Sequence, residues 1–329
     1  QVFGEDAVAF IQDQPGYRTF HNQTKGNPRN DLGLLKYLDV EYIVLQGPLL
    51  TRTVSKLWDE TLRFLRSRGT RLILLSAGLF KYDAEEIEVA RSFVRTWKPE
   101  IVVTRDARTF EALESCCERI YNGIDSAFFV PKVYRPFKLH LGPYVAMCFD
   151  RRAEPTITVV GRREAATDRA DCVIEVGEEM WSLRFSRVTE FFAKLGKWQA
   201  YIGHFLDRRK LPTRIGAYTI VRPEHRFNPH IAWKIYKHPN GIASDEPFTY
   251  LTVYANAELV LSDRVHACVV ALAYGRPAML FSRSPRSALF DRLGLQEIRK
   301  RPVTLDQDYL ERERKAEIEF LREAVRSCG

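Results

Sequence analysis

From about residue 40 the chain alternates short apolar runs with amphipathic stretches, and that rhythm restricts it to parallel sheets covered by helices. A parallel strand buried on both faces reads as a continuous apolar run, and the return to the same end of the sheet needs a crossover, usually a helix. Val40 to Leu45, Arg71 to Ser76, Ile101 to Thr104 and Ile120-Tyr121 have the run. Thr53 to Arg68, Asp83 to Thr96 and Arg108 to Cys117 have the helical spacing, and Asn122-Gly123 closes the series as a turn. Residues 131–143, carrying Pro131, Pro136, Gly142 and Pro143, read as a linker.

The rhythm restarts with strands at Tyr144 to Phe149, Thr156 to Val160, Cys172 to Val176, Gln199 to Gly203 and Ala217 to Val221, and a helix at Ser186 to Leu195. Residues 222–247, rich in Pro, His and Asn, read as an irregular loop over a cleft. A strand at Glu258 to Leu261, the apolar helix after it, and helices at Pro285 to Leu293 and Asp306 to Val325 complete the chain. The expected architecture is α/β: two Rossmann-like domains with parallel sheets, residues 1–138 and 139–329, facing one another across a cleft.

At 329 residues with 45% hydrophobic and 28% charged residues, the chain has the material for two such cores. No segment approaches about 18 uninterrupted apolar residues, so the expected location is cytoplasmic, with membrane contact at most peripheral at the inner face. The six cysteines are scattered without zinc-ligand spacing and read as reduced thiols, and no metal or cofactor is expected. The net charge of +8 suits an anionic ligand. Alternating charges such as Glu311-Arg312-Glu313-Arg314-Lys315 read as a solvated helix face, so no nucleic-acid partner is expected.

The most informative stretch is Ser262-Asp263-Arg264-Val265-His266, at the joint between a buried strand and a buried helix. Ligands of open parallel sheets gather at such joints, where free backbone N–H groups and the helix dipole favour an anion. Asp263 either caps the helix or joins the site. Arg264 offers a charged fork for carboxylate or phosphate, and His266 a group that exchanges protons near neutrality. No P-loop, dinucleotide-binding glycine fingerprint or nucleophile elbow accompanies them.

The run S-D-R-V-H-A-C-V-V-A-L-A-Y-G-R-P-A-M-L-F resembles the R-x-H, apolar helix, G-K/R-P pattern of the polysaccharide pyruvyl transferase family, whose members resemble GT-B enzymes in fold. Ile101 to Asp106 with Thr109 is similar to the family's strand-R-D-x-x-S/T segment, and Asp125-Ser126-Ala127-Phe128 to its D-x-A-F. Gln46-Gly47-Pro48-Leu49-Leu50 is weakly similar to its glycine-rich loop. Gly26-Asn27-Pro28-Arg29-Asn30-Asp31 departs in spacing from the family's G-N-x-G-D element, and Arg162 to Arg214 has no counterpart. The resemblance implies transfer of a pyruvyl group from phosphoenolpyruvate to a glycan or lipid-linked saccharide acceptor. It implies Arg264, Arg105 and Val265 as donor-binding residues and His266 as acid or base, with closure of the cleft bringing Arg105 and Arg264 together. Arg276, Asp263, Asp125, Arg151 and Arg152 are further candidates. Two other readings stay open: a GT-B glycosyltransferase using a nucleotide sugar, and a non-catalytic relative.

Overall fold

The computed structural model describes residues 39–150, 152–165, 170–207, 209–225 and 232–328. Gly26 to Asp31, Arg151, Arg226 and His230 lie outside them. The chain is α/β and divides into two compact units.

The first unit is built on four parallel strands in the order of the sequence: β1 (Tyr42–Gln46), β2 (Arg71–Ala77), β3 (Ile101–Thr104) and β4 (Ile120–Asn122). Helices α1 (Val54–Arg66), α2 (Ala84–Trp97) and α3 (Ala107–Leu113) connect them. Leu62 and Leu65 of α1 and Ala90, Phe93 and Val94 of α2 bury their faces against Ile43, Leu45, Leu72, Leu74 and Val102. The helix starts follow from local chemistry: the Asp83 side chain accepts from Glu86 N, and that of Asp106 from Thr109 N. The D-x-x-T of the sequence is thus a capping arrangement.

In the second unit five parallel strands run in the order β11 (Gly241–Ala243), β10 (Tyr218–Glu224), β5 (Tyr144–Cys148), β12 (Leu259–Ser262), β13 (Ala278–Leu280). The short β9 (Arg214–Ile215) adds antiparallel to β10. Between β5 and β10 the chain inserts an antiparallel sheet of β6 (Thr156–Val160), β8 (Glu179–Arg184) and β7 (Cys172–Val176), then helices α4 (Arg187–Leu195) and α5 (Lys197–Leu206). Ile174, Val176, Trp181 and Leu183 of the insertion share one core with Val145, Met147, Ile220, Leu259 and Leu261 of the parallel sheet. Helices α6 (Pro247–Asn256) and α7 (Val265–Ala273) flank β12 in sequence.

Four expectations need correction. The units do not divide at residue 138: the first takes the chain to Ser126 with Ser284–Leu293 and the end of the chain from Glu311, and the second starts at Ala127. The physical reason lies in two sets of contacts. Phe320, Leu321, Ala324 and Val325 of the last helix, α8 (Gln307–Cys328), pack on Ile73, Ile101 and Val103 of the first sheet. Tyr134, in the expected first domain, pairs its hydroxyl with Thr252 and accepts from Tyr274 at its carbonyl. Second, Gln199 to Gly203 belongs to α5, because Trp198, Tyr201, Ile202 and Phe205 repeat with helical spacing. Third, β6, β7 and the unexpected β8 form an antiparallel insertion. Fourth, the supposed loop from residue 222 begins as buried strand: Arg222, Pro223 and Glu224 finish β10.

Candidate functional site

Each parallel sheet gathers polar residues at the carboxyl ends of its strands, where an open α/β sheet binds its ligands. In the first unit Arg105 directly follows β3. It is 1% exposed, and its Nη1 lies 3.3 Å from Asp125 Oδ2. Its Nε and Nη2 are buried with no hydrogen-bond partner among the described residues. A guanidinium left so incompletely paired in the interior is costly unless a ligand completes it. Gly78 gives it room: a Cβ there would stand 2.3 Å from Arg105 Nε.

The loops around Arg105 are fixed by their own polar contacts. Gly78 N donates to the Gly47 carbonyl at 3.2 Å, which joins the loop after β1 to the end of β2. Ser76 holds a left-handed backbone (φ 53°) beside a register shift in β2, and its Oγ accepts from Ser126 N at 3.0 Å. Such strain in a non-glycine residue clusters at functional sites. Two of the segments singled out in the sequence, Arg105-Asp106 and Asp125-Ser126, meet here. Thr109 Oγ1 and Tyr82 Oη also reach the Asp106 carboxylate, at 2.9 and 2.7 Å. Asp106 therefore serves as a cap and loop anchor.

Glu317 carries no mark in the sequence, where it sits among alternating charges. This residue of α8 is 2% exposed and accepts from Ile124 N at 2.8 Å, which holds the loop that carries Asp125. Burial, helped by Asp125 and Glu313, pushes its carboxyl up to about 7, against the Ile124 N–H and Arg292. Between its ordinary value of 4.5 and that raised value the folded chain keeps a proton that the unfolded chain releases. Its contribution to stability therefore falls as pH rises through this window, by about 3 kcal/mol. Urea unfolding at several pH values checks this: wild type should lose more stability than Glu317→Gln between mildly acidic and neutral pH. Parallel profiles would refute it.

In the second unit β5, β10 and β12 end side by side. Arg264, the residue before α7, pairs its Nη1 with the Asp150 carboxylate and keeps 37% of its side chain exposed. Ser262 Oγ accepts from Arg264 N at 2.9 Å and donates to the Cys148 carbonyl at 2.8 Å. Asp263 is not the cap expected of it. Its carboxylate accepts from Asp150 N and Arg152 N, each at 2.8 Å, and so shapes the loop after β5. Val265 begins α7 with its side chain buried, so it can meet a ligand only through its backbone N–H. His266 is exposed on the first turn.

His225 falls in the segment whose composition reads as an irregular loop over a cleft, and the fold sets it at the end of the sheet. It follows β10, its ring stacks on Tyr250 at 3.9 Å between centroids, and its Nε2 lies 2.8 Å from Tyr254 Oη. Burial first, then the positive Arg264, push its pKa down to about 4, against Asp150. The ring is neutral at pH 7. The apolar run ends at Val221, and the Arg222-Pro223-Glu224 that carries β10 on to this histidine has no strand signal of its own.

Two further candidates are tied into the fold by their own contacts. Arg152 donates from Nε to Glu190 at 2.7 Å and from Nη1 to the Phe281 carbonyl at 3.1 Å, with its guanidinium 3.8 Å from the centre of the Phe185 ring. Arg276 follows the far end of α7, where Gly275 takes the positive φ of 74° that ends the helix, and its Nε donates to the Ala255 carbonyl at 2.9 Å. The fold does not bring it to Arg264.

Among solved structures the chain is similar to a Staphylococcus aureus MnaA–UDP co-structure, at 14% identity over 96% of this chain and 74% of that one, with a TM-score of 0.46. It is also similar to UDP-GlcNAc 2-epimerase from Neisseria meningitidis bound to UDP-GlcNAc, at 12% identity over 96% and 77%, with a TM-score of 0.44. No curated protein matches the sequence. The family model described as polysaccharide pyruvyl transferase matches residues 4–285, a span that holds Arg105, Asp125, His225, Arg264 and His266. The chain belongs to the polysaccharide pyruvyl transferase family.

Proposed function

We propose that the chain transfers the pyruvyl group of phosphoenolpyruvate to two hydroxyls of a sugar in a cell-surface polysaccharide or its lipid-linked precursor, forming a ketal and releasing phosphate. The observation that carries this reading is Arg105, a buried guanidinium with two nitrogens unsatisfied among the described residues at the end of a parallel sheet. Phosphoenolpyruvate carries a carboxylate and a phosphate, and each suits the planar fork of an arginine.

In this reading Arg105 and Arg264 bind the donor, and the first-turn N–H of Val265 adds to the phosphate side. One sugar hydroxyl adds to the enol carbon while the methylene carbon takes a proton. The second hydroxyl then displaces phosphate, and each hydroxyl gives up its proton. Arg264 stabilises the charge that collects on the departing phosphate. His266 is the proton carrier beside it. His225, half-buried and neutral at pH 7, is poorly suited to donate a proton and instead sets the surroundings of Arg264 with Tyr254.

Calorimetric titration tests the reading. Phosphoenolpyruvate should bind wild type and bind Arg105→Ala about a hundredfold more weakly. Arg105→Lys, which keeps the charge but not the fork, should recover only part of that affinity. Binding of a nucleotide sugar in place of phosphoenolpyruvate would overturn it in favour of a glycosyltransferase. Donor binding without phosphate release in the presence of saccharide acceptors would favour a non-catalytic relative.

A further inference from the structure

Helices α4 and α5 fold back on one another at Gly196 in a way that inverts the usual arrangement of apolar residues. Their mutual contact uses small groups: a Cβ on Gly203 would stand 3.2 Å from Phe192 Cβ and 3.4 Å from Thr189 Cα. Thr189 and Ala200 are buried. The large apolar side chains lie outside. Val188, Phe191, Leu195, Ile202, Phe205 and Leu206 are each 48% to 59% exposed. In sequence the two helices carry apolar residues at helical spacing, Val188, Phe191, Phe192, Leu195 and then Trp198, Tyr201, Ile202, Phe205. A soluble unit rarely leaves such stripes in water without a partner for them.

Charge identifies the partner. Between Arg184 and Lys210 the sequence has seven Lys or Arg and two acids. Both acids are engaged: Glu190 pairs with Arg152 at 2.7 Å, and Asp207 with Arg209 at 2.9 Å and Lys234 at 3.5 Å. Arg184, Arg187, Lys194 and Lys210, in or next to the hairpin in sequence, are exposed, Arg187 with Asp171 at 3.8 Å. A two-fold contact with a second copy would set this excess of positive charge against itself. Among the described residues no helix is long and apolar enough to cross a membrane. We infer that the α4–α5 hairpin docks on the anionic surface of a lipid bilayer, lying in the headgroup plane with Phe191, Leu195, Ile202 and Phe205 inserted and the flanking Lys and Arg on lipid phosphates.

This inference stands apart from pyruvyl transfer and is tested without it. The full chain is sedimented with phosphatidylcholine vesicles containing about one-fifth phosphatidylglycerol, and with pure phosphatidylcholine. Wild type should pellet with the anionic vesicles, and less so at about 0.5 M NaCl. Phe191→Ser/Phe205→Ser should partition at least about tenfold more weakly while melting like wild type, because both side chains are already exposed. Arg187→Glu/Lys194→Glu, which keeps the apolar face, should lose about tenfold on anionic vesicles. Wild type left in the supernatant, or a serine variant that pellets as wild type does, overturns the inference. A dimer in gel filtration that the serine variant dissociates, without vesicle binding, overturns it in favour of a contact between copies.

Discussion

Arg264→Ala should lower kcat/KM for pyruvyl transfer by about a hundred- to a thousandfold and, in the same protein, raise the pKa of His225. The first effect follows from the proposed role of Arg264, a fixed cation where phosphate charge would collect. The second follows from the local charge balance. Burial and Arg264 both hold the His225 imidazole down, to about 4, and Asp150 opposes them. Without Arg264 the Asp150 carboxylate is opposed by burial alone at a ring stacked on Tyr250. Titration followed by imidazole NMR reads the shift, and kinetics read the loss. Arg264→Lys separates them: it keeps most of the charge, and so the low pKa, while it loses the fork that pairs with Asp150 and a planar anion together. An Arg264→Ala protein with an unmoved His225 would mean that burial alone sets that pKa. One with full activity would remove Arg264 from the donor site.

The sequence showed β3 clearly because a strand buried on both faces reads as an apolar run, as Ile101 to Val103 does. It showed the Arg264 joint for a related reason: the polar residues break an apolar run on both sides. What it hid depends on contacts between distant segments. Asp263 has the composition of a cap, and only the fold shows its carboxylate turned to the loop after β5. Glu317 lies in a run of alternating charges that looks solvated, yet it is buried against a loop nearly two hundred residues earlier in the chain. His225 looked like a loop residue because Pro223 precedes it closely. Pro223 instead lies in β10 with β11 beside it, a pairing that local propensity does not specify.

The same strand carries the largest expected loss of stability. Arg222, 0% exposed, donates to Glu154 from Nε at 2.7 Å and from Nη2 at 2.6 Å, and from Nη1 to the Pro212 carbonyl at 2.8 Å. Glu154 is itself buried, in the chain that leaves β5 for the inserted sheet, so the pair joins the two layers of the second unit. Arg222→Met roughly fills the volume but strands a buried carboxylate, and it should cost about 3–5 kcal/mol in urea unfolding. The penalty belongs to the abandoned charge, since two ions in a dry interior gain by pairing little more than they lose in hydration. Adding Glu154→Leu should therefore recover most of the loss, and the double variant should be more stable than Arg222→Met alone. If it is not, the loss comes from the bond to the Pro212 carbonyl, and the segment before β9 rather than the ion pair is what Arg222 holds in place.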